Sequence, residues 1–400
     1  MTTFSITSAT EVVEAVAWAA ASELPLEIIG HGSKRNIGKP LQSTHTLDLS
    51  KLTGVTLYEP EELVLSARAG TPIAEIEKLL RDNGQQFDFE PMDHGPLLGL
   101  EAGMGTLGGL LGANLAGPRR VKSGAARDHV LGVHAVSGRG EAFKSGGRVV
   151  KNVTGYDLSK GMAGSWGTLA VATDITFKVL PAAETETTLA IRDLDDDRMA
   201  AALSLAMGSS CEVSGAAHLP SGIVQCVAHG ILGDRSATLI RVEGFGPSVL
   251  ARIAKLKDVL NNGSQIDEIE EQTSRAIWRE VRNVKPFADG TEKPVWRVSV
   301  APSEGWKLAL ALRMETPAMA FFDWQGGLVW LRMEGDPQAD VIRSMIAECG
   351  GGHATLVRAP LSWRGAVPVF EPQPAPLAAL SQRLKREFDP KGILNPGRMG

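Results

Sequence analysis

The placement of glycine constrains this chain more than any other feature of its sequence. Residues 99–170 hold 17 of the 44 glycines in 72 positions. Such density implies backbone in conformations closed to other residues, or backbone pressed close to something. Apolar residues punctuate the stretch (Leu107, Leu110, Leu111, Leu115, Val130, Leu131, Val133, Val136), which a solvated linker would not need. A shorter glycine pattern lies upstream, in Ile28-Ile29-Gly30-His31-Gly32-Ser33-Lys34-Arg35. There an apolar strand enters a turn of small residues, whose successive N–H groups can converge on a pyrophosphate. Gly30 and Gly32 remove the Cβ atoms that would block close approach, Ser33 adds a hydroxyl, and Lys34 and Arg35 add positive charge. A plain strand-to-loop turn with a solvated basic pair would read the same way. If the two glycine-rich stretches meet in space, they could clamp opposite sides of one long cofactor.

Two familiar phosphate motifs fail on context. Gly103-Met104-Gly105-Thr106-Leu107-Gly108 is a literal G-x-G-x-x-G with Asp128 downstream. No strand precedes it, and no second strand separates it from Asp128, so the dinucleotide fingerprint lacks its βαβ frame. Gly117 to Ser123 ends in Lys-Ser, but Val121 occupies the place where a P-loop needs glycine.

Bulk properties bound the rest. A chain of 400 residues suggests two or three domains. The net charge of −5 argues against a generic nucleic-acid binder. Cys211, Cys226 and Cys349 are too few and too scattered for an iron–sulfur cluster or a zinc site, and the histidines show no metal spacing. No targeting segment and no membrane-spanning run is evident, so the expected location is cytoplasmic, with membrane association only through partners.

Hydrophobic periodicity organises the chain as α+β. Ser8 to Glu11 reads as a capping box opening a helix with Val12, Val13, Val16, Ala19 and Ala20 on one face. Strand patterns follow at 24–29, 47–49, 55–58 and 63–69, then a helix that Thr71 caps ahead of Pro72 and Asn83-Gly84 ends. Val130 to Val136 forms a hairpin with Glu141 to Lys144, and an alternating strand runs from Leu169 to Leu180 before Pro181. Beyond it, helical patterns at 198–207, 247–260, 272–283 and 336–348 interleave with strand-like runs at 222–229, 237–243, 295–300 and 327–333. That is the pattern of an α+β unit with an antiparallel sheet. A proline-rich tail carries a last helix, 377–388.

The order of these motifs resembles the FAD-binding domain of the vanillyl-alcohol-oxidase/p-cresol-methylhydroxylase (PCMH) type. The resemblance rests on Gly30-His31-Gly32-Ser33, on Val64 through Pro72, on Gly105-Thr106-Leu107-Gly108-Gly109 through Asn114 and Gly117, on Gly124 through Asp128, and on Gly164-Ser165-Trp166-Gly167-Thr168-Leu169. The tail from Phe388 to Gly397 is similar to the segment with which such proteins return to the flavin domain. Lys151-Asn152-Val153-Thr154-Gly155-Tyr156-Asp157-Leu158 resembles the D-2-hydroxy-acid dehydrogenase and glycolate oxidase branch, and Gly117-Pro118-Arg119-Arg120 its smaller FAD-binding subunits. The resemblance implies a two-part FAD-binding domain over 1–182, an α+β cap over 183–348 and a returning segment over 349–400. It implies FAD held by Gly30, His31, Gly32, Ser33 and Lys34 at the pyrophosphate. Gly105, Thr106, Gly108, Gly109 and Asn114 would touch the second phosphate and the flavin, Gly124, Arg127 and Asp128 would run beneath the cofactor, and Gly167, Thr168 and Val171 would lie on the adenine side. Ser33 stands where covalent relatives have histidine, so non-covalent FAD is expected, with His31 the residue to watch. Implied partners are a larger flavin subunit, an iron–sulfur subunit and a small 2-hydroxy acid such as glycolate. The alternatives are a non-catalytic assembly subunit and a self-sufficient D-2-hydroxy-acid dehydrogenase.

The catalytic residue stays open. The Gly-Glu-His-Gly element of that branch is reduced here to Gly351-Gly352-His353-Ala354, with no acid beside His353. Arg279, Arg282 and Arg297 are candidate carboxylate anchors, since the guanidinium fork matches that anion. His353 is a candidate base. Trp324, in a turn pattern, is the tryptophan expected to be exposed.

Overall fold

A computed structural model describes residues 2–148, 155–261 and 263–399. Of the motif at 151–158, Lys151 to Thr154 lie outside the described residues, and Tyr156 is exposed.

The chain opens with a small parallel sheet, Thr2–Ser5, His45–Asp48 and Leu26–Ile29 in spatial order. The helix Ala9–Ser22 covers it. The Ser8 hydroxyl accepts the Glu11 amide at 3.3 Å, while the Glu11 carboxylate accepts the Thr7 amide at 2.8 Å, one residue earlier than a strict capping box. Val12, Val16 and Ala19 bury against Leu26 and Leu47, and also against Val136 and Val171 of the second sheet. That second sheet is antiparallel, in the order Val55–Glu59, Val64–Arg68, Ala170–Lys178, Val130–Ser137, Ala142–Gly146. The expected hairpin is there, with Gly140 at φ +77° closing it. The helix Ile73–Asp82 departs from expectation at its start. Pro72 is its N-cap, and the Thr71 hydroxyl instead takes the Gly54 amide at 3.0 Å.

After Pro181 the chain builds one eight-stranded antiparallel sheet. Its order is Ile266–Ile269, Thr185–Arg192, Ala237–Gly244, Gly215–Leu219, Ala318–Asp323, Leu328–Met333, Val295–Val300, Gly352–Arg358. The two-residue period of the strands sorts their side chains into two cores. Leu189 and Ile191 face the outer helices, while Ala190 between them faces the flavin-type part, alongside Ile37, Met92 and Leu97 from it. Gly352–Arg358, expected in the returning segment, is therefore a strand of the large sheet. The run at 222–229 is also not a strand. Pro220 starts a short helix, Ser221–Val224, whose Ile223 and Val224 fill the inner core.

The tail closes the molecule. The Leu26 amide donates to the Ile393 carbonyl at 2.8 Å, and buried Asp389 accepts the Ile393 and Leu394 amides at 3.0 and 2.9 Å.

Four buried charges join the two parts. Arg241 of the large sheet grips Glu90 with both terminal nitrogens, at 3.0 and 2.9 Å. Arg119 grips Glu243 through Nε and Nη2, at 2.6 and 2.9 Å, and its amide donates to Glu90 at 2.9 Å. The indole of Trp278 lies 4.8 Å from the Arg241 guanidinium. Burial alone would raise the Glu90 carboxyl, but Arg119 and Arg241 outweigh it and hold Glu90 at about 2. The charges sum to zero, and each bidentate grip offsets the desolvation of its members.

Arg241→Met removes the bidentate partner of Glu90 and should cost about 3–5 kcal/mol in urea unfolding, the usual cost of breaking a buried pair. Because the Glu90 pKa is depressed on folding, its contribution is present above its ordinary 4.5 and fades as pH falls toward about 2. Glu90→Gln should flatten the stability curve in that window.

Candidate functional site

The strand Leu26–Ile29 runs directly into Gly30, and the turn that follows packs against the start of the short helix Leu107–Gly112. A Cβ on Gly30 would stand 2.6 Å from the Thr106 hydroxyl, and one on Gly109 would stand 3.2 Å from Lys34 Nζ. The two glycine-rich stretches therefore meet, and they approach this closely because both positions lack a side chain. Thr106 caps the helix through the Gly109 amide, at 3.3 Å.

Between these segments and the tail lies a cleft of about 840 Å³. Gly30, His31, Gly32, Ser33, Lys34, Thr106, Gly108, Gly109, Gly167 and Val171 line it. The other expected residues stand outside its wall. The Gly105 carbonyl accepts the Ile73 amide at 2.9 Å, and Thr168 turns its hydroxyl to the Ser165 carbonyl at 2.7 Å. Asn114, Gly124, Arg127 and Asp128 form a separate knot. Asn114 Oδ1 accepts the Arg127 amide and Asp128 accepts the Ala125 amide, both at 2.9 Å, around Gly124 at φ +77°. These four hold backbone in place.

Asn395 and Arg398 are wall residues that the sequence reading missed. Asn395 accepts the Ile28 amide and donates to the Trp166 carbonyl, both at 2.8 Å. Arg398 donates to the Lys34 carbonyl at 2.6 Å and lies over the Trp166 ring. Their signal was two polar side chains just after the apolar pair Ile393-Leu394, which docks beside Leu26.

The cleft is cationic. Lys34 is buried, and among the described residues its ammonium meets only the Ser33 hydroxyl, at 3.3 Å. Burial pushes it down to about 8; Asp93 opposes the shift and Arg398 adds to it. Burial likewise pushes Arg398 down to about 10. Among the described residues no carboxylate lies within 4.0 Å of either, because Glu27 is engaged by Arg35. His31 Nδ1 is buried with no hydrogen-bond partner among the described residues. Unpaired buried donors carry a desolvation cost that an anion would relieve. This donor set fits the pyrophosphate of a dinucleotide.

A second group sits on the face of the large sheet turned toward the flavin-type part. Arg297 and Ser299 share that face, and His353 pairs with Ser299 on the neighbouring strand. The acid absent from the His353 motif arrives from far along the chain, since Glu371 accepts the Ala354 amide at 2.9 Å and draws His353 upward. Burial, with the Arg297 and Arg120 charges, outweighs that and holds the imidazole below its ordinary range. Arg279 is exposed, and Arg282 lies 3.9 Å from Glu77, so neither is placed as an anchor. Trp324 is buried, contrary to expectation. Left-handed backbone at Trp324 and Gln325 (φ 50° and 64°) folds the indole back, and its Nε1 donates to the Gly117 carbonyl at 2.9 Å.

Comparison with known proteins agrees with this geometry. Residues 3–146 match the family model described as an FAD binding domain. The chain is 36% identical to glycolate oxidase subunit GlcE of Escherichia coli (strain K12), over 97% of this chain and 96% of that protein. The chain belongs to the GlcE family of glycolate oxidase subunits. It is also 29% identical to glycolate oxidase subunit GlcD of Bacillus subtilis (strain 168), over 42% of this chain and 35% of that one. p-Cresol methylhydroxylase has the same fold, with a TM-score of 0.73 at 16% identity, covering 100% of this chain and 88% of the other. The GlcE-type chain is thus a PCMH-type flavoprotein of the oxidoreductase class, and its cofactor is FAD.

Lys34→Met should abolish retention of FAD, read from the absorbance of the purified chain, while the FAD-free protein stays at least as stable. The Lys34 pKa falls on folding, so the stability of FAD-free wild type should rise as pH climbs from about 8 toward 10.5. Urea unfolding of Lys34→Met should lack that rise.

Proposed function

We propose that this chain is the smaller FAD-binding subunit of a glycolate (2-hydroxy-acid) oxidase and oxidises glycolate to glyoxylate within a complex. The observation that carries the reading is the cationic cleft formed where the Gly30–Lys34 turn meets Thr106–Gly109 and the tail. In it Lys34 and Arg398 neutralise the pyrophosphate, Ser33 and the turn amides donate to it, and Gly30, Gly32, Gly108 and Gly109 let the backbone approach. Gly167 and Val171, backed by Thr168, flank the adenine side. Gly105, Asn114, Gly124, Arg127 and Asp128 position the backbone along the cofactor. FAD, when bound, supplies the acceptor for the two electrons that leave the alcohol carbon. The protein's task is then to orient the hydroxy acid and to take its hydroxyl proton. His353, on the face turned toward the flavin-type part and with its pKa lowered by burial, is the candidate we assign to that proton.

The division at residue 182 belongs to this reading, as does non-covalent attachment. So do electron transfer to an iron–sulfur subunit, a larger flavin subunit as second partner, and a cytoplasmic site of action. No helix among the described residues is long and apolar enough to cross a membrane, so membrane attachment would come through a partner. A second reading, an assembly subunit without turnover, draws on the place of His353 on the edge strand of the large sheet.

Acid precipitation of the purified chain should release FAD into the supernatant, and glycolate should bleach the native protein. Colour retained in the pellet would point to covalent attachment at His31, and a chain that never takes up FAD would overturn the reading. His353→Asn should lower the bleaching rate by about 10²–10⁴-fold with FAD content unchanged, the range for loss of a general base. Bleaching at an unchanged rate would remove His353 from the chemistry.

A further inference from the structure

The seam between the two parts holds a pair of guanidiniums that form no ion pair among the described residues. Arg297 projects from the large sheet and is half-buried. Arg120 comes from the other side, at the start of the short helix Arg120–Ser123, and is exposed. Both lie over one indole, with Cζ atoms 4.8 and 4.9 Å from the centre of the Trp324 ring. The two charges are thus no more than about 10 Å apart. Neither guanidinium makes a hydrogen bond or an ion pair with another described residue.

The indole is fixed at three points. Its Nε1 donates to the Gly117 carbonyl at 2.9 Å, its backbone amide donates to Asp323 at 2.7 Å, and its left-handed φ is followed by a second at Gln325. Consecutive non-glycine residues in that region store strain, which the surrounding packing must hold. The buried acid beside the indole, Asp323, does not form an ion pair with either guanidinium among the described residues. Burial pushes the Asp323 carboxyl up to about 7, so it is only about half ionised near neutrality, and it accepts the Trp324 amide. Burial first, then Arg120, pushes Arg297 down to about 10. His94, on the flavin-type side, is also buried, with an unpartnered Nδ1. It lies within electrostatic reach of both Lys34 and Arg297, which connects this seam to the cleft.

We propose that Arg297 and Arg120, stacked on Trp324, form a binding site for the carboxylate of a small organic acid. The inference rests on the reading of this chain as a 2-hydroxy-acid oxidoreductase and names the anchor of its substrate. Stacking leaves the edges of each guanidinium free, and those edges carry the N–H donors that match a carboxylate. His353 comes from the strand beside Arg297, on the same face, so an acid held there would set its hydroxyl toward the imidazole.

Oxalate is an unreactive probe of the site. Titrating the full-length chain with it should perturb the flavin spectrum and tryptophan fluorescence with one saturable curve. Arg297→Met and Arg120→Met should each weaken that binding roughly 10- to 100-fold, as for loss of a charged hydrogen bond, with FAD content unchanged. Arg297→Lys should recover part of the loss. Because Arg120 is exposed, its variant tests the site even where Arg297→Met does not fold. Wild-type oxalate affinity in Arg120→Met, or no saturable binding by the parent chain, overturns the proposal. Tryptophan fluorescence reports binding with or without FAD, so failure of the flavin reading shows separately, as a chain that binds oxalate but no FAD.

Discussion

The geometry of this molecule depends on four buried charges, Glu90, Arg119, Arg241 and Glu243. Two come from the flavin-type part and two from one strand of the large sheet, and each arginine grips a carboxylate of the opposite part. Apolar surfaces would bring the two parts together, but they would tolerate sliding. Bidentate pairs do not, because a shift of an ångström leaves buried charge unpaired. The network therefore sets the register in which the inner face of the large sheet meets the loops of the flavin-type part. Everything placed at the seam inherits that register, including Trp324 against Gly117 and Arg297 opposite Arg120.

The cofactor cleft rests on a different constraint, close approach of backbone. Gly30 sits against Thr106 and Gly109 against Lys34, at distances that a methyl group would violate. The tail locks this approach from behind, since Asn395 ties the strand before Gly30 to the turn around Trp166. The site thus draws on three segments distant in sequence. Its positive charge is left without an ion pair, with Glu27 turned to Arg35 and no carboxylate within 4.0 Å of Lys34 among the described residues. That arrangement costs stability in the empty fold, as a ligand-binding site commonly does.

Much of the fold could be read from the chain. The first helix and its serine cap, the hairpin around Gly140, and the alternating strands of the large sheet all follow local rules, and local rules hold when tertiary contacts agree with them. Departures occur where they disagree. The run after Pro220 is apolar enough for a strand, but proline and Gly222 bend it into a helix whose side chains fill the inner core. Thr71 looks like a cap, yet its hydroxyl is taken by Gly54, just before a neighbouring strand. Trp324 looks exposed in its turn until left-handed backbone folds it under.

Sequence alone settled which residues could form a phosphate turn, because strand entry, small residues and basic charge are local properties of Ile28 to Arg35. It could not settle what the charged residues around that turn are for. Arg119 and Arg120 are neighbours of the same type after one proline. One points inward and is spent on Glu243, while the other points outward and stacks unpaired on Trp324. Likewise, His353 lacks an acid in its own motif and receives Glu371 from across a loop. A charge takes its role from what lies within about 4 Å of it, and only the tertiary structure decides which residues those are.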